Sequence, residues 1–157
     1  MTGSGSEHAA SLDRLRATAR DLVSLTSSAD RARLHRAPGP REWSAAQVVG
    51  HLADAELVYA VRFRQMIVED RPHLAAFDED AWAQRFALLD DELKDTVARW
   101  RALRDSTLRL LDSLEDADWR RAGVHAERGE LNVRQMAALL ADHDRSHLDQ
   151  IRHALAG

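Results

Sequence analysis

Two histidines four residues apart, His143 and His147, interrupt an apolar stripe near the end of the chain: Val133, Met136 and Leu140 lead to them by steps of three and four, and Ile151 follows. On a helix, residues at that spacing lie one above the other with Cβ atoms about 5–6 Å apart, so both imidazoles can reach one ion. Spacing alone says little, because chance gives roughly 0.4 such pairs for a chain with 8 His in 157 residues. Their position on the core-facing stripe says more. His51 adds a third imidazole on the same face of an earlier helix as Val48 and Ala55. A three-His set with open positions is a catalytic rather than a closed structural arrangement, and neutral imidazole suits Zn, Ni, Fe(II) or Cu.

Imidazoles on a metal usually donate their second N–H to an acceptor; Asp54, Asp142, Asp144 and Gln150 are the candidates by position. The alternative is a metal-free buried polar network. Burying three unpaired imidazoles would cost several kcal/mol against leucine, which makes a bound ion the simpler account. Two further residues are candidates for the same site. His125, between Gly123 and Gly129, could reach its mouth as an acid or base, although an exposed loop histidine is the simpler reading. Arg62, three turns beyond His51, could meet an anionic substrate group, with a solvated surface arginine as the simpler reading. Trp82, Trp100 and Trp119 read as core or interface aromatics.

The elements that must position these residues are helices, since period 3.6 recurs in four long segments and no convincing strand pattern appears. The first runs from about Glu7 to Ala29 with Leu12, Leu15, Ala19 and Leu22 on one stripe, after a disordered head over residues 1–6. Pro38, Gly39 and Pro40 form a break. Ser44 and Gln47 make a capping box, with Trp43 as staple, for a second helix reaching about Asp70; Pro72 follows its end. A short helix over Glu79 to Phe86 leads to a third long helix with Leu93, Val97, Trp100, Leu103/Arg104, Leu108/Leu111 and Leu114 on its stripe. Asn132 and Gln135 cap the fourth, Val133 to about Leu155. The fold class is therefore all-α: one four-helix bundle over residues 7–157, whose long second and third connections allow a topology other than up-down-up-down.

Composition narrows the chemistry. With no cysteine, thiolate nucleophiles, Cys-type zinc sites and disulfides are excluded, and any thiolate must arrive as a cofactor. A net charge of −4 gives no attraction to nucleic acid or anionic membranes. The chain has no apolar run of membrane-spanning length and its polar start lacks a signal-peptide pattern, so a cytoplasmic location is expected. Lys94, the one lysine, falls on a surface helix, so P-loop and Schiff-base chemistry are unsupported. G-x-S-x-G, G-x-G-x-x-G and Walker sequences are absent, and His143-Asp-Arg-Ser-His147 lacks the glutamate of a zincin. Nor does helix two carry the Glu-x-x-His pattern of di-iron bundles.

The stretch from Trp43 through His51 to Glu56 and the stretch Ala141-Asp-His143-Asp-Arg-Ser-His147-Leu-Asp-Gln150-Ile, about ninety residues on, together resemble the DinB/YfiT-like family. The resemblance extends over nearly the whole chain. It implies a four-helix bundle in which His51, His143 and His147 bind a divalent ion, often nickel or zinc, with iron or manganese also compatible. It also implies a homodimer and a small-molecule substrate. Some members of the family are thiol S-transferases or isomerases that use a low-molecular-weight thiol. The expectation is a mononuclear metal protein, a metal-dependent hydrolase or thiol S-transferase acting on a small electrophile. Its alternative is a non-catalytic, metal-binding, dimeric stress-response protein. Nothing in the residues themselves identifies a catalytic group or the binding site of a thiol cofactor.

Overall fold

Hydrogen bonds at two capping boxes begin the helices that carry the three histidines. In the computed structural model of the chain, which describes residues 4–86 and 92–157, Ser44 Oγ accepts from Gln47 N–H while Gln47 Oε1 accepts from Ser44 N–H. Asn132 and Gln135 make the same reciprocal pair, each satisfying donors that a helix start leaves bare. In chain order the elements are α1 (Ser4–Ser27), α2 (Arg31–His35), α3 (Ala45–Val68), β1 (His73–Leu74), α4 (Glu79–Phe86), α5 (Leu93–Asp112), α6 (Asp116–Trp119), β2 (Ala122–His125), β3 (Gly129–Asn132) and α7 (Val133–Ala156).

The four long helices form the expected bundle. Helix α1 starts earlier than the sequence suggests: residues 4–6, assigned to a disordered head, continue it outward, since each residue added to an existing helix gains one backbone hydrogen bond. Residues 1–3 of that head lie outside the described residues.

Side-chain pairs reveal the topology. Arg14 pairs with Asp142 and Arg152 with Asp21, so α1 and α7 run parallel. Glu56 meets Arg104 and, further along both helices, Arg64 meets Ser106, so α3 and α5 are parallel too. Tyr59 faces His143 while His51 faces His147, which makes α3 and α7 antiparallel. The order is up, down, down, up, with α1 and α3 each packed between α5 and α7. Two parallel consecutive helices require a connection that returns the length of the bundle. That is why the chain between α3 and α5 is long, and it carries α4 back along α3.

The long connections are not plain loops, which corrects the expectation of no strands. Short β1 pairs in parallel with β2, and β2 pairs antiparallel with β3, forming a three-stranded sheet where α3 and α5 end and α7 begins. These strands are two to four residues long, too short for a period-two pattern to register. Gly123 is needed there because a Cβ would come 2.9 Å from the Leu74 side chain, and Gly129 turns the hairpin with φ of 75°.

Two apolar clusters fill the bundle. One gathers Leu15, Phe63, Met66, Met136 and Trp119; the other Leu22, Val48, Leu52, Trp100 and Ile151. Each fully buried side chain of this size contributes about 1.5–3 kcal/mol. Across the core runs a charged triad. Arg104 is fully buried and gives Nε and Nη2 to Glu56 Oε2 at 3.0 and 2.6 Å, while its Nη1 lies 2.8 Å from Asp144 Oδ2. Burial pushes the guanidinium pKa down, but the Asp144 and Glu56 carboxylates outweigh it and the net shift is upward.

Candidate metal centre

His51 on α3 and the His143/His147 pair on α7 converge on one point. His51 Nε2 lies 3.0 Å from His143 Nε2 and 3.1 Å from His147 Nε2, and the three rings meet edge to face or tilted, with centroids 4.4 to 5.0 Å apart. Three ring nitrogens this close cannot all hydrogen-bond one another, since a neutral imidazole carries one N–H. A divalent ion accepting three lone pairs fits the arrangement, and the three nitrogens form a cluster able to hold one.

The protonation states agree with that fit. Burial first, then repulsion from the neighbouring imidazoles, lowers His51 to about 3; His147 falls to about 4 by burial and the charge of His143. Both rings are therefore neutral near pH 7, the form that ligates. The tautomer of His147 is set as well. Its Nδ1 lies 2.8 Å from Gln150 Oε1, which can only accept, so the proton sits on Nδ1 and the lone pair on Nε2 faces the centre. His143 Nδ1 is buried without a hydrogen-bond partner, and the nearest carboxylate oxygen, Asp144 Oδ1, is 3.8 Å away. Because Asp144 also pairs with Arg104, the core triad reaches the edge of the site.

Of the four acceptors proposed from sequence, Gln150 meets the His147 ring and Asp144 lies near that of His143. Asp142 turns outward to Arg14, and Asp54 borders a separate recess beside His51. His125, read more simply as an exposed loop residue, is 7% exposed and sits at the end of β2. Its Nδ1 accepts the Glu127 N–H at 3.2 Å. Arg62, read more simply as solvated, is 5% exposed. Both line a cleft of about 250 Å³ that opens onto His143 and His147.

Sequence reasoning missed Glu79. The first residue of α4 brings its Oε2 to 3.7 Å from His51 Nε2, and its half-exposed carboxylate borders the clefts on both sides of the histidines. No local pattern marks it, since a short polar helix start looks like any other. Trp43 packs its ring 5.3 Å from that of His51, closing the site beside the cap of α3.

A family model described as the DinB superfamily matches residues 14–151. The Halalkalibacterium halodurans protein named "Putative metal-dependent hydrolase BH0277" is 28% identical over 136 residues, covering 85% of this chain and 78% of its own length. A Geobacillus kaustophilus protein of the same kind of name is 36% identical over 69% of this chain, and the match spans only 62% of that relative's length. Among solved structures, YfiT from Bacillus subtilis superposes with a TM-score of 0.85 at 21% identity, over 94% of this chain and 85% of its own. It is described as a probable metal-dependent hydrolase with an unusual four-helix bundle topology. The four-helix bundle protein TT2238 superposes at 0.70, also 21% identical, over 93% of this chain and 98% of its own.

Proposed function

The chain belongs to the DinB superfamily, and from that premise we propose that it is a mononuclear divalent-metal hydrolase acting on a small electrophilic molecule, with His51, His143 and His147 as the ligands. The convergence of their three Nε2 atoms carries the reading. A divalent ion held by the three histidines, nickel or zinc by the resemblance, would supply a Lewis acid able to lower the pKa of water or of a thiol. The chain's own residues do the rest. Gln150 holds His147 in the ligating tautomer, Trp43 shields His51, and Glu79 presents a carboxylate that can take a proton from the nucleophile. The substrate enters by the cleft lined by Tyr59, Arg62 and His125.

The same three ligands would serve a thiol S-transferase, with the thiolate arriving as a cosubstrate because the chain has no cysteine. A homodimer is supported by Leu57, Val61 and Val68, large apolar side chains left exposed on α3. No helix among the described residues is long and apolar enough to cross a membrane.

The test is turnover of small activated esters and amides, and in parallel conjugation of an electrophile such as monobromobimane to added cysteine. Each runs with metal-loaded, chelator-stripped and His143→Ala/His147→Ala protein. The expected result is activity in the first assay that disappears on stripping and returns with added metal. Activity only in the second replaces hydrolysis by thiol transfer. Metal binding without turnover in either leaves the non-catalytic alternative.

A further inference from the structure

The cleft beside the three histidines contains a buried positive charge with no direct ion pair among the described residues. Arg62 is 5% exposed, yet among the described residues it forms no ion pair; the acceptor recorded for its side chain is the Ala75 carbonyl, at 2.5 Å from Nη2, and its buried Nε has none. Arg104, the other fully buried arginine of the core, shows what compensation looks like: two carboxylates and a carbonyl. A guanidinium taken out of water and left without a counter-ion is unfavourable unless something supplied from outside pairs with it.

Its position says what that would be. Arg62 Cζ lies 5.4 Å from the centre of the Tyr59 ring, and that ring lies 6.2 Å from the His143 ring between centroids, so a single aromatic side chain neighbours both the guanidinium and the candidate metal centre. His125 adds a donor: with Nδ1 accepting from Glu127, its neutral ring carries the proton on Nε2. Charges of both signs face this space. Arg128 adds to Arg62, Glu79 and Glu127 oppose it, and Asp142 is paired outward with Arg14. Two opposing carboxylates disfavour a dianion such as a phosphate monoester. A single carboxylate matches one planar guanidinium.

We propose that Arg62 anchors a carboxylate group of the substrate, so that the site acts on small monocarboxylate-bearing molecules whose reactive centre reaches the three histidines. The substrate class assigned here rests on the hydrolase reading above, but the anion site can be tested apart from it. A ligand in the cleft that Arg62 lines would supply the direct ion-pair partner it lacks among the described residues.

The experiment is calorimetric titration of butyrate, inorganic phosphate and neutral butyramide into full-length wild type, Arg62→Met and Arg62→Lys. Each protein is tested metal-loaded and chelator-stripped, with melting curves and metal content recorded in parallel. Expected is butyrate binding by wild type in both forms, weakened at least tenfold in Arg62→Met and less in Arg62→Lys, with phosphate weaker than butyrate and no heat from butyramide. Metal content should be the same in all three. Butyrate binding unchanged in Arg62→Met, or absent from folded wild type in both forms, overturns the proposal; phosphate tighter than butyrate overturns the carboxylate assignment. If Arg62→Met does not fold, Arg62→Gln replaces it as the uncharged variant. Wild type that holds no metal yet binds butyrate through Arg62 sinks the hydrolase reading and leaves the anion site standing.

Discussion

His51 and His143, 92 residues apart in the chain, bring their Nε2 atoms to 3.0 Å across the α3–α7 contact. At that separation one proton can lie between them, but His147 Nε2 stands 3.1 Å from the same His51 atom and needs its own partner. With the Gln150 contact keeping the His147 lone pair turned inward, the cluster is short of positive charge at its centre. A divalent cation answers that shortage better than any assignment of protons.

Wild-type protein purified without a histidine tag should hold about one divalent ion per chain, and His51→Ala or the His143→Ala/His147→Ala double variant essentially none. Elemental analysis reads the difference directly. His147→Leu distinguishes the metal-free alternative: a mere polar network predicts equal or greater stability. A metal site predicts that the substitution removes the rise in melting temperature that added metal produces.

Acid should destabilise the metal-free protein. His51 and His147 titrate at about 3 and about 4 in the folded chain against 6.5 as reference. Between those values the unfolded chain binds more protons, so stability falls as pH drops from about 6.5 towards 4 and changes little from these groups above about 7.5. Melting temperatures of chelator-treated protein across that range check the sign, and a flat profile from pH 7 to 5 contradicts it.

Gln150→Leu leaves the three ligands in place but removes the acceptor that fixes the His147 tautomer. Metal affinity should weaken by about 10- to 100-fold. Competition with a chromophoric chelator measures it, and affinity within a factor of two of wild type would show that Gln150 is a bystander.

Arg104→Met strands the Glu56 and Asp144 carboxylates in the core and should lower the unfolding free energy by about 3–5 kcal/mol. Urea denaturation provides the value. Replacing Glu56, Arg104 and Asp144 together by leucine or methionine should recover much of the loss, because the penalty lies in the unpaired charges rather than in the missing bonds.

Glu79→Gln should keep the metal and lose roughly 100-fold in metal-dependent turnover, the scale of one positioned proton acceptor. If metal content falls instead, the carboxylate is a ligand and not a base.

Much of the site was legible because it is local. His143 and His147 share a face by helical period, His51 follows from the stripe of Val48 and Ala55, and the boxes at Ser44 and Asn132 follow from residue types three apart. Glu79 was not legible. It reaches His51 only because parallel α3 and α5 force the chain back along α3, and no feature of residues 79–86 records that return. The small sheet escaped for a related reason: strands of two to four residues take their stability from partners elsewhere.

By itself the sequence determined the helices, their caps, the bundle class and the inward set of three imidazoles, all consequences of interactions within about one helical turn. Only the tertiary structure decided the fate of the charges. Arg62 and Arg104 are the same residue type on long helices; Arg104 ended up ion-paired with two carboxylates, Arg62 beside an open cleft with no ion pair among the described residues. Coulomb energy depends on separation in space and on how much water remains between the groups, and neither quantity is a function of distance along the chain.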